Sequence, residues 1–321
     1  MTESRTTVDH RGAVVSACSS APSRADAGLS RLGPIAAVAA GVTGMICVGG
    51  SVAVSAGLAG APVATAQALR YALACLLLVA AGGRSVPRPR GTQWWWLLGV
   101  VTSGMVLFNV ALVLGGEHAE PAVLGVAVAC APLVLAAVGP IAEGRRPSPR
   151  VLAAAFTVTT GAVLVQGQGR CDALGLAWSA VVLACEAGFT LLALPVLPRL
   201  GAWGVSVHTT WLAAAVFAVL GVAVDGPTAV LRLRPAELAT VAYLAVAVTA
   251  LAFVLWYSCV RRLGSARAGL LTGVVPVAAA DTGVLLGGPL PRPPVLLGVT
   301  IVAAGLALGL THFVTTKSGE S

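Results

Sequence analysis

Residues 121–149 read PAVLGVAVACAPLVLAAVGPIAEGRRPSP, an apolar run with Pro132 at its middle that closes on Glu143, Arg145 and Arg146. The pattern returns 144 positions later, over residues 265–293, as SARAGLLTGVVPVAAADTGVLLGGPLPRP. Ala122 then meets Ala266, Gly125 meets Gly269, Pro132 meets Pro276 and Gly139 meets Gly283. Pro147 and Pro149 meet Pro291 and Pro293, and the register holds as far as Gly161 and Gly305. A chain rich in Ala, Val, Leu and Gly gives chance identities. Two mid-run prolines at one offset, each followed by a proline-marked boundary, point instead to one structural unit used twice.

Composition sets the solvent. Of 321 residues 57% are hydrophobic and only 10% charged, with mean hydropathy +0.92. Soluble domains carry about 25% charged residues, so most of this surface must face lipid. A helix needs about 20 apolar residues to cross the hydrocarbon. The spacing predicts ten such spans, at about 34–56, 62–82, 94–115, 121–142 and 150–166, then 172–195, 203–224, 236–260, 266–288 and 293–313. Runs this long are helices, because barrel strands would alternate at half the length. The fold class is therefore all-α, a polytopic membrane protein. Residues 1–33, with Arg5, Arg11, Arg24 and Arg31 and no hydrophobic period, read as a disordered cytoplasmic tail, and residues 314–321 read as a cytoplasmic C-terminal tail. Val15-Ser16-Ala17-Cys18 has the look of a lipoprotein cleavage box, but no apolar stretch precedes it.

Charge orients the chain. With the N-terminus in the cytoplasm, fifteen of the 20 Lys and Arg residues fall in cytoplasmic connections; Arg170, Arg232, Arg234 and Arg292 fall outside, and Arg70 lies within a span. The positive-inside rule selects this orientation, in a cytoplasmic membrane with both termini inside. The net charge of +8 is thus a membrane-face signal, and no nucleic-acid partner is expected. Five helices per unit is an odd number, so the second unit (172–313) must lie inverted relative to the first (34–166). The connection with Glu117, His118 and Glu120 faces out, while its counterpart with Arg261, Arg262 and Arg267 faces in.

Four stretches resemble the EamA-type transporters of the drug/metabolite transporter superfamily: ATAQALRYALACLLL in helix 2, helix 4 with Pro132 and the terminal Glu143, TALAFVLWYSCVRRLGSARAG followed by GVVPV, and LLGVTIVAAGLALG in helix 10. The resemblance implies ten helices in two inverted five-helix repeats and the export of small metabolites, such as amino acids, or drugs. The chain departs from the family in two places. Gly287-Gly288 stands where a Gly-Glu pair usually ends helix 9, and the aromatic residue near the end of helix 1 is missing from CVGGSVAVS. In helix 6, Glu186 replaces the usual aromatic residue.

Few polar groups interrupt the apolar runs, and an ionisable one at mid-bilayer costs about 2.5–3.5 kcal/mol unless it faces protein or water. Glu186 reads as a contact for a substrate amine or as a proton-coupling carboxylate, against a structural hydrogen bond to Thr190. Asp281, five residues after Pro276, reads as lining a substrate path beside a loosened turn, against a partner for a buried donor. Arg70 neutralises an anionic substrate or a carboxylate, or forms a bundle contact; the family resemblance favours a structural or gating pair. Glu143 beside Arg145 and Arg146 is a surface ion pair or a gate. His208 and Gln67 hold similar places in helices 7 and 2, with core packing as the plainer reading of His208. Asn109, Trp256 and Tyr257 line a site or pack the core. Pro132 and Pro276 form a shared hinge or static kinks. Trp94, Trp95 and Trp96 are an interfacial belt.

Five cysteines lie in apolar runs as small hydrophobes, and no Cys/His spacing suggests a metal. Without a Walker A run the protein hydrolyses no ATP, and neither a cofactor nor enzymatic activity is expected. The expected partners are a small-molecule substrate and the lipid bilayer, with Gly305-x-x-x-Gly309 suited to helix contact or a homodimer face. An integral membrane enzyme on lipid-linked substrates would need polar groups clustered at one interface, where this sequence has scattered single ones. A non-transporting membrane partner or sensor would lack a solvent-connected cavity.

Overall fold

The computed structural model describes residues 33–58, 60–82, 86–287 and 290–318. The expected N-terminal tail lies outside them, except for Gly33. Ten helices among the described residues are long and apolar enough to cross a membrane. They are α1 (Pro34–Val52), α2 (Val63–Gly82), α3 (Gln93–Gly116), α4 (Pro121–Ala142) and α5 (Pro149–Gln166), then α6 (Ala173–Leu191), α7 (Leu197–Asp225), α8 (Pro235–Leu263), α9 (Ser265–Leu285) and α10 (Pro293–Thr311). Five of them open on proline. Its missing N–H falls where no intrahelical acceptor exists, and its fixed φ already suits a helix.

Two boundaries differ from expectation. α6 stops at Leu191 and α7 begins at Leu197, earlier than the expected 203. Pro198 fits the first turn of α7, and the kink after it is carried by Gly201 at φ 69°. The final helix runs on to Ser318, into residues read as a tail.

The two prolines at one offset mark two breaks in one register. α4 is Pro121–Ala129 and Ala131–Ala142, interrupted at Cys130, with Pro132 opening the second piece. α9 is Ser265–Leu270, a 3₁₀ turn over Leu271–Gly273, and Val274–Leu285, with Pro276 in the first turn of the last piece. A proline cannot donate to the turn before it, so each helix restarts there.

Packing follows an exchange pattern. α2 packs on α7, and α5 on α10. The other six helices form two trios, α3 with α4 and α6, and α8 with α9 and α1. Swapping the first five helices for the last five maps each trio onto the other. The first helix of each half has thus crossed to the other half's trio, so neither half packs as a closed five-helix bundle.

α5 and α10 meet through glycine. A Cβ on Gly161 would stand 2.7 Å from both the Gly298 carbonyl oxygen and the Val302 nitrogen. A Cβ on Gly305 would stand 2.8 Å from the Val158 nitrogen and 3.1 Å from the Ala154 carbonyl oxygen. Moved by 144 positions, the second set of contacts becomes the first. Gly161 meets Val302 while Ala154 meets Gly309, so the two helices run antiparallel. The Gly305–Gly309 spacing, expected as helix contact or dimer face, is used inside the chain. α4 and α9 are also antiparallel neighbours, with Gly139 against Ser265 and Leu135 against Gly269.

Gly161→Leu and Gly305→Leu should each overpack this contact and destabilise the protein by about 1–3 kcal/mol. Gly283→Ala, where an added Cβ meets nothing within 4 Å, should stay within about 0.5 kcal/mol. Thermal unfolding of purified protein in detergent, followed by loss of the monodisperse peak, measures both.

Candidate functional site

A polar set joins α2, α3 and α8. The Arg70 Nε donates to Thr249 Oγ1 at 2.8 Å, and its guanidinium lies 5.2 Å from the Tyr71 ring centre. Gln67 donates through Nε2 to Asn109 Oδ1 at 2.6 Å and turns its own oxygen towards Arg70 at 3.4 Å. Asn109 in turn donates to the Met105 carbonyl at 2.5 Å. Three of the expected residues, Gln67, Arg70 and Asn109, are thus brought together. Arg70 is half-buried, and among the described residues no carboxylate lies within ion-pair distance of it.

Two π-helical segments place these groups, Thr102–Leu107 in α3 and Leu244–Leu251 in α8. They occupy overlapping places in the two halves. Each inserts an extra residue in a turn and re-aims the side chains around it, a device common at functional sites. Thr249 was not among the expected residues. Its signal is a hydroxyl in an apolar run, matched 147 positions earlier by Thr102.

Glu186 lies on α6 beside an aromatic layer. Phe189 packs on Phe253 and Tyr257 with ring centres 5.0 and 5.3 Å apart. Trp256 donates to Thr190 Oγ1 at 3.1 Å, and Tyr257 donates to the Phe189 carbonyl at 3.3 Å. These contacts tie α6 of one trio to α8 of the other. Trp256 and Tyr257 are buried in the layer, so packing and helix ties are what the structure gives them. Thr190, the expected structural partner of Glu186, is taken by Trp256. The half-buried Glu186 makes no hydrogen bond or ion pair among the described residues. Phe189 and Phe253 also pack against the cluster that holds Tyr71, Met105 and Phe217, and Tyr71 is the sequence neighbour of Arg70.

His208 and Asp281 lie apart from both groups. His208 Nδ1 accepts from the Trp211 indole at 3.2 Å. Its Nε2 therefore carries the proton and donates to the Pro87 carbonyl at 2.8 Å. It pins α7 to the α2–α3 connection, a different setting from that of Gln67. Asp281 is exposed on α9. Gly49 and Gly50 of α1 face Val275, Ala278 and Thr282, Leu135 of α4 faces Gly269, and Val158 of α5 faces Gly273. Asp281 falls in the sector those neighbours leave open, so the structure does not join it to Glu186.

Glu143 joins the trios at the helix ends richest in arginine. Its Oε1 accepts from the Ser265 backbone N–H at 2.8 Å and from the Ser265 hydroxyl at 2.6 Å, and Arg145 donates to its Oε2. A carboxylate ending α4 thus caps the N-terminus of α9, where unpaired N–H groups favour negative charge. Burial alone would push the Glu143 carboxyl up. The hydrogen bonds from Ser265 and Arg145 and the Arg145 charge outweigh it and hold the carboxyl below its usual value of 4.5. Ser265, unforeseen in the sequence, is the first residue after the Gly264 turn.

The opposite ends are clipped within one trio. Glu120 accepts from Arg170 at 3.0 Å, His118 meets Asp172 at 2.9 Å, and Ala119 forms a lone antiparallel bridge with Cys171. Asp172 also caps α6 through the Gly175 N–H at 2.8 Å. That backbone bond, with the His118 contact, holds its carboxyl below the usual range. A concavity of about 360 Å³ at this end is lined by Ala61, Asp225, Arg232, Arg234 and Glu237, away from Glu186. Among the described residues no three His, Cys, Asp or Glu side chains gather as a metal would require.

No family model matches the chain. A Streptantibioticus cattleyicolor protein described as "Probable terminal-alkyne amino-acid exporter" is 27% identical over 262 residues, covering 80% of this chain and 86% of its own. The Bacillus subtilis protein "Uncharacterized transporter YetK" is 25% identical over 265 residues, covering 76% of this chain and 77% of its own. A solved protein crystal structure superposes with a TM-score of 0.74 at 20% identity, over 86% of this chain and 98% of the other, which shows a shared fold. Ten apolar helices and two transporter relatives agree with the EamA-type resemblance.

Because the Glu143 carboxyl is held low in the folded protein, its contribution is complete above the usual carboxylate value and is lost as pH falls through the folded value. The melting-temperature difference between wild type and Glu143→Gln should therefore stay constant from neutral pH down to about 5 and shrink only below the usual 4.5. Thermal scans of both proteins across that range measure it.

Proposed function

We propose that the protein is a secondary transporter of the cytoplasmic membrane that exports small, amino-acid-like metabolites by alternating access, without hydrolysing ATP. The observation that carries this reading is a pair of opposite intramembrane charges, Arg70 and Glu186, that have no ionic partner among the described residues and adjoin aromatic side chains of α2, α6 and α8. An unpaired charge at that depth costs several kcal/mol and persists where a ligand or water meets it. A zwitterion offers each charge its complement, with the substrate carboxylate towards Arg70 and the ammonium towards Glu186. Thr249, Gln67 and Asn109 orient Arg70. Phe189 and Phe253 present apolar surface to the substrate side chain, and the buried Tyr257 backs them.

The architecture fits. The exchange of trios and the antiparallel α4–α9 and α5–α10 pairs support two inverted five-helix units, and the broken α4 and α9 supply hinges at Pro132 and Pro276. Transporter sites favour interrupted helices at such a repeat interface. Arginine placement supports cytoplasmic termini. The names of the two relatives support export of a small molecule, and that of the first an amino acid.

Inside-out vesicles holding the protein should accumulate labelled amino acids, supplied as a mixed panel, above protein-free vesicles. Arg70→Met and Glu186→Gln should each lower that flux about tenfold or more, as expected when a charge-assisted contact is lost. If Glu186 also carries the coupling proton, Glu186→Gln removes the dependence of net flux on a pH gradient and leaves substrate exchange. Flux from no member of the panel overturns the substrate class, and unchanged flux in both variants overturns the site.

A further inference from the structure

Residues 232–234 read Arg-Leu-Arg in the connection from α7 to α8, at the end opposite Glu143. Leu233 is extended, with φ −71° and ψ 125°, and so is Arg234, with φ −78° and ψ 155°. Side chains alternate along extended backbone. Leu233 is buried against Ala61, Ala66 and Val241, and both arginines line the concavity of about 360 Å³. The carboxylates there are engaged. Glu237, 3% exposed, accepts from the Arg234 backbone N–H at 2.8 Å and from its Nε at 2.9 Å. Asp225 Oδ2 accepts from the Thr65 N–H at 2.7 Å and from its hydroxyl at 2.9 Å. Arg232 donates through Nη2 to the Asp225 carbonyl. Among the described residues, Nε and Nη1 of Arg232 and Nη1 of Arg234 have no protein acceptor, and Oδ1 of Asp225 has no donor. α2 and α8 both begin here and add the positive ends of two helix dipoles.

A second concavity, of about 180 Å³, adjoins the first. It lies between α2 and α7, where Ala68, Leu69, Ala218, Gly221 and Val222 give it an apolar lining. The two meet at the Thr65–Asp225 bond, since Asp225 lines the first and Thr65 the second. Small residues leave the groove open, and α7 ends over it in a π turn closed by the Gly226 N–H on the Gly221 carbonyl at 3.0 Å. Phe217, also in the lining, stands eight residues before Asp225, so the groove descends about 12 Å along α7 from the arginines. The rim is apolar as well. Val222, Val224, Val230 and Leu231 are exposed around the guanidiniums, Leu231 by 82%. A site for a soluble anion would open on polar neighbours. Charged groups flanked by apolar ones suit the boundary between headgroups and hydrocarbon.

We propose that the two concavities form one site for an aminophospholipid, with its phosphate on Arg232 and Arg234, its ammonium on Asp225 Oδ1 and one acyl chain in the groove between α2 and α7. Guanidinium N–H groups bind phosphate oxygens through short, charge-assisted hydrogen bonds. Arg232 and Arg234 balance Asp225 and Glu237 in charge, so a headgroup without net charge fits better than an anionic one. Phosphatidylethanolamine has such a headgroup, with a phosphate and a primary ammonium. Seated there, the lipid bridges the α7–α8 connection to α2, the helix that carries Arg70. The site needs only that α2 and α7 cross a membrane, and it stands apart from the transport reaction.

Native mass spectrometry of the delipidated protein in detergent, titrated with dioleoyl phosphatidylethanolamine, tests this. One lipid should be retained per chain before others add. Arg232→Gln, which removes the free donors, should weaken that first binding about tenfold, the ratio set by one hydrogen bond to a charged group. Ala218→Leu, at an exposed position of the groove, should weaken it about fivefold by filling the seat of the chain. Arg170→Gln is the control for charge alone. Arg170 is exposed, pairs with Glu120 and lines neither concavity, so its variant should bind as wild type does. Dioleoyl phosphatidylglycerol, which lacks the ammonium, should bind about fivefold more weakly, and glycerophosphoethanolamine, the headgroup without chains, should not be retained at the same concentration. Absence of a single retained lipid, or unchanged binding in both Arg232→Gln and Ala218→Leu eluting as folded monodisperse species, overturns the site. Equal loss in Arg170→Gln reduces it to surface charge, and retention of glycerophosphoethanolamine turns it into a site for a soluble ligand; either result overturns the lipid. Phosphatidylglycerol binding as tightly overturns the contact of the ammonium with Asp225.

Discussion

The backbone approach of α5 to α10 is the constraint on which the arrangement depends. Gly161 and Gly305 let each helix lie against the other's main chain, and each contact is the other's counterpart in the repeat register. In hydrocarbon, apolar side chains gain little by burying against one another, because lipid is as apolar as they are. Helices there are held by close packing, and small residues permit it. With α5 and α10 fixed in this way and α2 paired to α7, the other six helices divide into two trios.

The trios explain why the chemistry gathers where it does. Arg70 belongs to a paired helix, Asn109 and Glu186 to one trio, and Thr249, Phe253 and Tyr257 to the other. A ligand among them would touch helices of both trios and the α2–α7 pair at once. Irregular backbone at membrane depth is tolerated where protein covers it. Here it takes the form of breaks at Cys130 and Leu271–Gly273 and π segments in α3 and α8. These are the places where a straight helix would aim its side chains elsewhere.

Much of the candidate site was legible one residue at a time. Arg70, Gln67, Asn109 and Glu186 stand out because polar groups are rare in this chain, and the first three do converge. Asp281 stood out for the same reason and falls on an uncovered sector of α9. Rarity identifies a costly side chain but not the direction it faces. His208 shows the other failure, since a connection 121 positions away in the sequence, not its own helix, supplies its acceptor at Pro87.

By itself the sequence determined that this chain lives in lipid and crosses it ten times, and its two prolines at one offset pointed to the breaks in α4 and α9. Those properties follow from composition, length and a repeated register, all of which are local. Only the tertiary structure decided that each half gives its first helix to the other, that α3 and α8 carry π segments, and that Ser265 receives Glu143. Helix partners in a membrane are chosen by the fit of small residues against backbone, and many faces of an Ala-, Val- and Gly-rich helix offer nearly the same fit until the neighbours are in place.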